Sequence, residues 1–148
     1  MKFNDEVGSV LGRKGARIYS VSPSAYVCDA LREMAERDIG ALVVLEQGRV
    51  AGMFSERDYA RKVMLLGRSS LETSVSEVMS PAARVATGDS IDSCLHLMTS
   101  ARVRHLAVME GEALAGVVSI GDLVNWIISA QAEAIDHLHH YIGAEYPG

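Results

Sequence analysis

The feature that most constrains the fold of this chain is an internal duplication. Shifting the sequence by 64 residues lays positions 21–64 on 85–128 without a gap. Leu31 then meets Leu95, Met34 meets Met98, Leu42 meets Leu106 and Val44 meets Val108. Glu46 meets Glu110, Ala51-Gly52 meets Ala115-Gly116, Ser55 meets Ser119, and Asp58 meets Asp122. Ten of these 44 positions are identical and many others exchange one aliphatic for another, so a single folding unit occurs twice.

Each copy carries the same pattern. Val27, Ala30, Leu31 and Met34 recur at helical spacing within 27–37, and Ile91, Cys94, Leu95 and Met98 repeat the spacing in the second copy. Short apolar runs follow, 41–45 and 50–54 around Gln47-Gly48, then 105–109 and 114–118 around Gly111-Glu112. Such runs flanking a glycine turn predict a hairpin with one strand buried on both faces. A helix is expected to start at Ser55 and another at Ser119, the second running through Trp126 and Ile135 toward His140. Residues 18–20 read as the first strand. The predicted order is strand, helix, strand, strand, helix, twice: an α+β chain with repeats at 7–67 and 81–131. Between them 68–80 reads as a connection ended by Pro81, which forces extended backbone before it, and 132–148 as helix end and tail.

Composition narrows the function. The chain has 148 residues, 49% of them hydrophobic and 22% charged, enough for a buried core without metal or disulfide. Cys28 and Cys94 form neither a disulfide framework nor a spaced metal pair, and read as reduced thiols. The net charge of −5 argues against nucleic acid as the main partner, although a local pocket can still be cationic. No apolar run reaches the roughly 18 residues of a membrane span, and acidic Asp5 and Glu6 stand where a signal peptide would be apolar. The expectation is a cytoplasmic protein that uses neither membrane nor nucleic acid.

The motifs Val78-Met79-Ser80-Pro81, Gly52-Met-Phe-Ser55-Glu-Arg-Asp58, Arg104-His105-Leu106 and Gly116-Val-Val-Ser119-Ile-Gly-Asp122 resemble those of a tandem pair of cystathionine-β-synthase (CBS) domains, or Bateman module. The resemblance covers about residues 7–131, and the ending from Tyr141-Ile142-Gly143 to Tyr146-Pro147-Gly148 is similar to that of small stand-alone bacterial members. It implies two pseudo-twofold-related repeats packed sheet to sheet, with two clefts that bind adenosine compounds such as AMP, ADP, ATP, NAD(H) or S-adenosylmethionine. It also implies a homodimer of the pair. With no catalytic domain recognised, the output would pass to a separate, unidentified regulated protein. Thr87 departs from the pattern, because a proline often stands there, as Pro23 does in the first copy; the two clefts need not take the same ligand.

Several residues are candidates for such sites. Ser55 and Asp58, and likewise Ser119 and Asp122, open a helix after a strand. Unpaired N–H groups there attract phosphate, a serine adds a donor, and an aspartate offers acceptors suited to ribose hydroxyls. The family places the aspartate on the ribose. The same Ser-x-x-Asp spacing is also a capping box, and the two roles are compatible. Ile120 and Gly121 lie between the second pair and join it as ligand candidates. Arg104 and His105 begin a buried strand, where charge is costly unless it lines a cavity; the resemblance puts basic residues there near phosphate. A surface ion pair and a hydrogen-bonded core histidine are their plainer readings. Their counterparts Gly40 and Ala41 would let a base or ribose approach the backbone. Arg57, with Arg61 one turn later, can reach phosphate or simply face solvent. Thr87, at the position that departs from the pattern, Lys14, and Tyr19 in the first strand complete the candidate ligand set.

Other readings are weaker. Positions 8–15 lack the spacing of a phosphate loop, and Ser119 lacks that of a nucleophile elbow. His137, His139 and His140 lack further ligands at metal spacing, and a solvated or dimer-facing helix end is expected. Leu123, Trp126, Ile127 and Ile128 suit core packing together with a self-association face. No nucleophile, base and metal set supports an enzyme, and no catalytic cofactor is expected. The alternative to a sensor is a structural dimerisation module with vestigial sites.

Overall fold

The computed structural model describes residues 4–15 and 17–145, with side chains up to His139. The first half runs α1 (Val7–Lys14), β1 (Ser20–Val21), α2 (Val27–Arg37), β2 (Ala41–Glu46), β3 (Arg49–Ser55) and α3 (Glu56–Tyr59). The chain continues with a π-helical turn (Ala60–Met64), α4 (Val75–Val78), β4 (Arg84–Ala86), α5 (Ile91–Ala101), β5 (His105–Glu110), β6 (Ala113–Ser119) and α6 (Ile120–Glu145). Two three-stranded sheets result, ordered β1-β2-β3 and β4-β5-β6. In each, the first strand is parallel to the second and the second antiparallel to the third. The parallel pairs require the helical crossovers α2 and α5.

The duplication extends to details of the backbone. Each hairpin slips register at the same place, between Val44 and Leu45 and between Val108 and Met109. α2 buries Val27, Ala30 and Met34, and α5 buries Ile91, Cys94 and Met98, as their helical spacing predicts. Both helices end on a left-handed residue that is not glycine, Asp38 (φ 53°) and Arg102 (φ 56°). Strand β2 is buried on both faces, as expected. Leu42 and Val44 join the core under the helices of the first half. Ala41 and Val43 join a second core formed with Met53 and Ala107, where the two sheets pack against each other.

Two helices depart from the sequence expectation. Residues 7–14, which precede the first strand, form α1, and the supposed connection contains α4. Each is lent to the opposite repeat. Val7 and Val10 of α1 are buried in the core of the second half, beside Ile91, Leu106 and Leu123. Val75 and Val78 of α4 are buried in the core of the first half, beside Leu42, Phe54 and Val63. Equivalent backbone bonds pin both exchanges. Val7 N–H donates to Asp89 O (2.8 Å) and Ile91 N–H to Asp5 O (2.9 Å); Val75 N–H donates to Ala25 O (2.8 Å) and Val27 N–H to Thr73 O (2.9 Å). The first strand is also shorter than expected, starting only at Ser20.

Cys28 and Cys94 are both free. Burial, followed by the nearby Asp89 carboxylate, pushes the Cys94 thiol up to about 11, which leaves it a packing residue. No described helix is long and apolar enough to cross a membrane. The ending that begins at Tyr141 has no described side chains, and 146–148 lie outside the described residues, as does the His140 side chain.

Candidate functional site: a cleft between the repeats

A cleft of about 940 Å³ opens where the end of β3 and the start of α3 face the second repeat. The first repeat contributes Gly40, Met53, Ser55, Glu56, Arg57, Asp58, Arg61 and Lys62 to its wall. The chain entering β4 adds Ser80–Ala83, and the turn between α5 and β5 adds 101–105. The fold therefore brings Gly40, Ser55, Arg57, Asp58, Arg104 and His105 to one place, whereas the sequence reading set Gly40 and Arg104 at equivalent places of two clefts.

The Ser-x-x-Asp motif is first of all a helix cap. Asp58 N–H donates to Ser55 Oγ (3.2 Å), while the Ser55 N–H (3.0 Å) and hydroxyl (3.1 Å) donate to Asp58 Oδ2. The other carboxylate oxygen, Oδ1, accepts from the Ser80 hydroxyl at 2.6 Å and pairs with Lys62 Nζ at 3.2 Å. Lys62 also donates to Ser80 Oγ (2.9 Å) and Val78 O (3.2 Å). This buried carboxylate thus has a charge-assisted set of donors, which fixes it at the cleft wall.

Cationic groups reach the cleft from both repeats. Arg57 crosses it, donating from Nη1 to the Arg102 carbonyl at 2.6 Å. Arg61, Arg102 and Arg104 are exposed and form no ion pair among the described residues. Arg104 precedes β5 instead of lying within it, so its charge stays solvated and its position in a buried strand is corrected. His105 is half-buried. Burial, followed by the Lys14 and Arg104 charges, lowers its pKa, with Asp122 acting in the opposite sense. Its imidazole edge fills the space beside Gly40, where an added Cβ would lie 3.5 Å from Cε1 and 3.6 Å from the Glu56 carboxylate.

The second motif stands in a different environment. Ser119 and Asp122 cap α6 reciprocally, Ser119 N–H donating to Asp122 Oδ2 (2.8 Å) and Asp122 N–H to Ser119 Oγ (3.1 Å). Lys14, from the end of α1, donates to the same Oδ2 at 2.6 Å and to Val117 O at 3.1 Å. Burial pushes the Asp122 carboxyl up, but Lys14 and the Ser119 backbone outweigh it, so it titrates below its ordinary value. Lys14 therefore pairs with Asp122 Oδ2 much as Lys62 pairs with Asp58 Oδ1, and Asp122 Oδ1 has no side-chain partner among the described residues. Ile120 and Gly121 begin α6 beside it.

The remaining candidates do not face the first cleft. Ala41 is buried between the sheets. Thr87 packs on α1, accepting from Gly8 N–H at 2.9 Å, and its carbonyl lies only 3.0 Å from where a Cβ on residue 8 would be. Tyr19 lies under the Arg37 guanidinium, 5.0 Å from its ring centre. His137 and His139 are exposed on α6, and the described residues contain no cluster able to hold a metal. Sequence reasoning missed Arg102, Lys62 and Ser80 as wall residues. Arg102 occupies a left-handed helix end normally marked by glycine, so its position gave no signal.

The architecture and the duplicated motifs define a pair of CBS domains, and the chain belongs to that family: the CBS-domain model matches residues 9–65 and 75–129. It is 36% identical over 126 residues, 81% of its length, to the CBS domain-containing protein CBSX3, mitochondrial, of Arabidopsis thaliana, and spans 61% of that relative. Among solved structures it resembles a putative signal-transduction protein with CBS domains from Burkholderia ambifaria, at 44% identity and a TM-score of 0.81, covering 86% of this chain and 96% of that one. A CBS domain protein from Pyrobaculum aerophilum, solved in complex with AMP, shares the fold at 21% identity and a TM-score of 0.72, over 80% of this chain and 89% of that one.

Proposed function

We propose that this chain is a regulatory module that binds an adenine nucleotide (AMP, ADP, ATP or NAD(H)) in its first cleft. The observation that carries this reading is that Asp58 and arginines from both repeats line one large cleft on a net acidic protein. Their convergence supplies donors for phosphate from two bodies that the ligand would bridge, and Asp58 would accept from a ribose hydroxyl where Ser80 or Lys62 gives way to it. The AMP complex of the Pyrobaculum protein supports the ligand class. Bridging favours one arrangement of the two repeats over another, which is the requirement for a signal. On this reading the protein works in the cytoplasm, catalyses nothing, and passes its state to another protein.

Thermal unfolding tests this. A nucleotide at 100 times its Kd stabilises by roughly 2.7 kcal/mol, which raises Tm by about 5–10 °C for a chain of this size. Asp58→Asn retains an acceptor for the cap but removes the charge, and at the same ligand concentration is expected to cut the shift to about half or less. No shift with adenosine, AMP, ADP, ATP or NAD(H) would leave the vestigial, structural reading standing.

The same proposal includes self-association. Ile128, Ile135 and Leu138 form an exposed apolar line along α6, and Met64, Leu65 and Leu66 are exposed at the end of the π-turn. Such surface is usually covered by a partner. Sedimentation is expected to give twice the 15.9 kDa chain mass, and Ile128→Lys with Leu138→Lys to return it to the monomer.

A further inference from the structure

The two halves differ most in the residues that can carry phosphate. The first cleft has Arg57, Arg61, Lys62, Arg102 and Arg104 on its wall. The duplication puts Gly121, Asn125, Trp126, Asp38 and Gly40 at the corresponding positions of the other half. Every cation on one side is thus matched by a neutral or acidic residue on the other. The protein as a whole has 14 Lys and Arg against 19 Asp and Glu, so this concentration runs against its average charge.

Not all of the five cations are equally available. Lys62 is committed to Asp58, Ser80 and Val78, and Arg57 spends one donor on the Arg102 carbonyl. Arg61, Arg102 and Arg104 have no carboxylate partner among the described residues. Of the two wall carboxylates, Asp58 is neutralised by Lys62, and Glu56 stands at the Gly40 end beside His105. The three terminal oxygens of a single phosphate offer three edges to guanidinium forks, so a fourth arginine could reach only oxygens already shared. A chain of phosphates matches them.

We propose that the first cleft selects an anion with two or more linked phosphates, gripped by Arg57 and Arg61 from one repeat and Arg102 and Arg104 from the other. The proposal rests on the nucleotide reading for the rest of the ligand, but not for the phosphate chain itself. Selectivity follows from charge-assisted pairing that each added phosphate extends. Because the four arginines come from both repeats, the phosphate chain, and not the base, ties the halves together.

Calorimetric titration at fixed ionic strength, without divalent metal, tests this with adenosine, AMP, ADP, ATP and inorganic tripolyphosphate. Binding is expected to tighten by about tenfold or more from AMP to ADP, as one further charge-assisted contact set implies. In Arg102→Gln/Arg104→Gln, two exposed positions with no structural side-chain bond, that ratio is expected to collapse toward one. Equal affinity for AMP, ADP and ATP would overturn the proposal and leave the nucleotide reading intact. Tripolyphosphate binding without any adenosine compound would support the proposal and remove the nucleotide reading. Failure of every anion to bind would overturn both. An unchanged ADP-to-AMP ratio in the double variant would overturn the assignment to the arginines.

Discussion

His105 illustrates how one residue can belong to two environments. It lines the first cleft, yet it also feels the Lys14–Asp122 pair of the second motif. Its folded pKa lies below the ordinary 6.5, so the unfolded chain takes up the proton first as pH falls. The stability that comes from keeping it neutral is full above the unfolded value and is lost as pH drops through it. Tm is therefore expected to fall between about pH 7 and pH 5, and His105→Gln to flatten that part of the profile. An equally steep profile in the variant would assign the fall to other groups. Gly52 is constrained by space: an added Cβ would lie 2.8 Å from Ser80 O and 2.9 Å from Met79 Sδ. Gly52→Ala is expected to lower stability by about 1–3 kcal/mol in a denaturant titration, because the nearest neighbour is backbone. At this scale the sequence was informative where chemistry and position coincided. Ser55 and Asp58 were singled out by the repeated motif, and Arg104 by its place before an apolar run and by the family resemblance. Arg102 and Ser80 became wall residues only through a left-handed helix end and a strand bridge, neither of which leaves a residue pattern.

The elements within the duplicated segment follow its periodicity closely. α2 spans Val27–Arg37 as its apolar spacing predicts, and the two hairpins match their runs to within a residue or two. The elements outside that segment were not legible. α1 has three glycines in or beside it and only Val7, Val10 and Leu11 as its apolar face, so its helical signal is weak. Its partner is also remote: Gly8 lies against Thr87 and Leu11 against Gly116. Similarly, α4 has only four residues, and nothing local indicates that its valines belong under the first sheet. If α1 is a true part of the second core, Val7→Ala should destabilise the protein by about 2 kcal/mol, the cost of removing buried methyl groups. Hydrogen exchange should then loosen in α5 and β5 before β2. A loss of protection confined to residues 7–14 would contradict the exchange of helices between the halves.

At the scale of the whole molecule, two like units share one core between their sheets and exchange their leading helices. The result looks symmetric in backbone but not in charge. One cleft collects arginines from both halves, whereas Asp122 has only Lys14 as a charged partner among the described residues. The duplication made the pair evident; the unequal pairing of Gly40-Ala41 with Arg104-His105 hinted at the asymmetry, but the Lys14 contact lay 108 residues apart in sequence. Calorimetric stoichiometry tests the central claim most directly, using whichever of AMP, ADP, ATP and NAD(H) binds most tightly. The account predicts one molecule per chain, with binding weakened about tenfold or more by Asp58→Asn and unchanged by Asp122→Asn. Two molecules per chain, or a loss caused by Asp122→Asn alone, would contradict it.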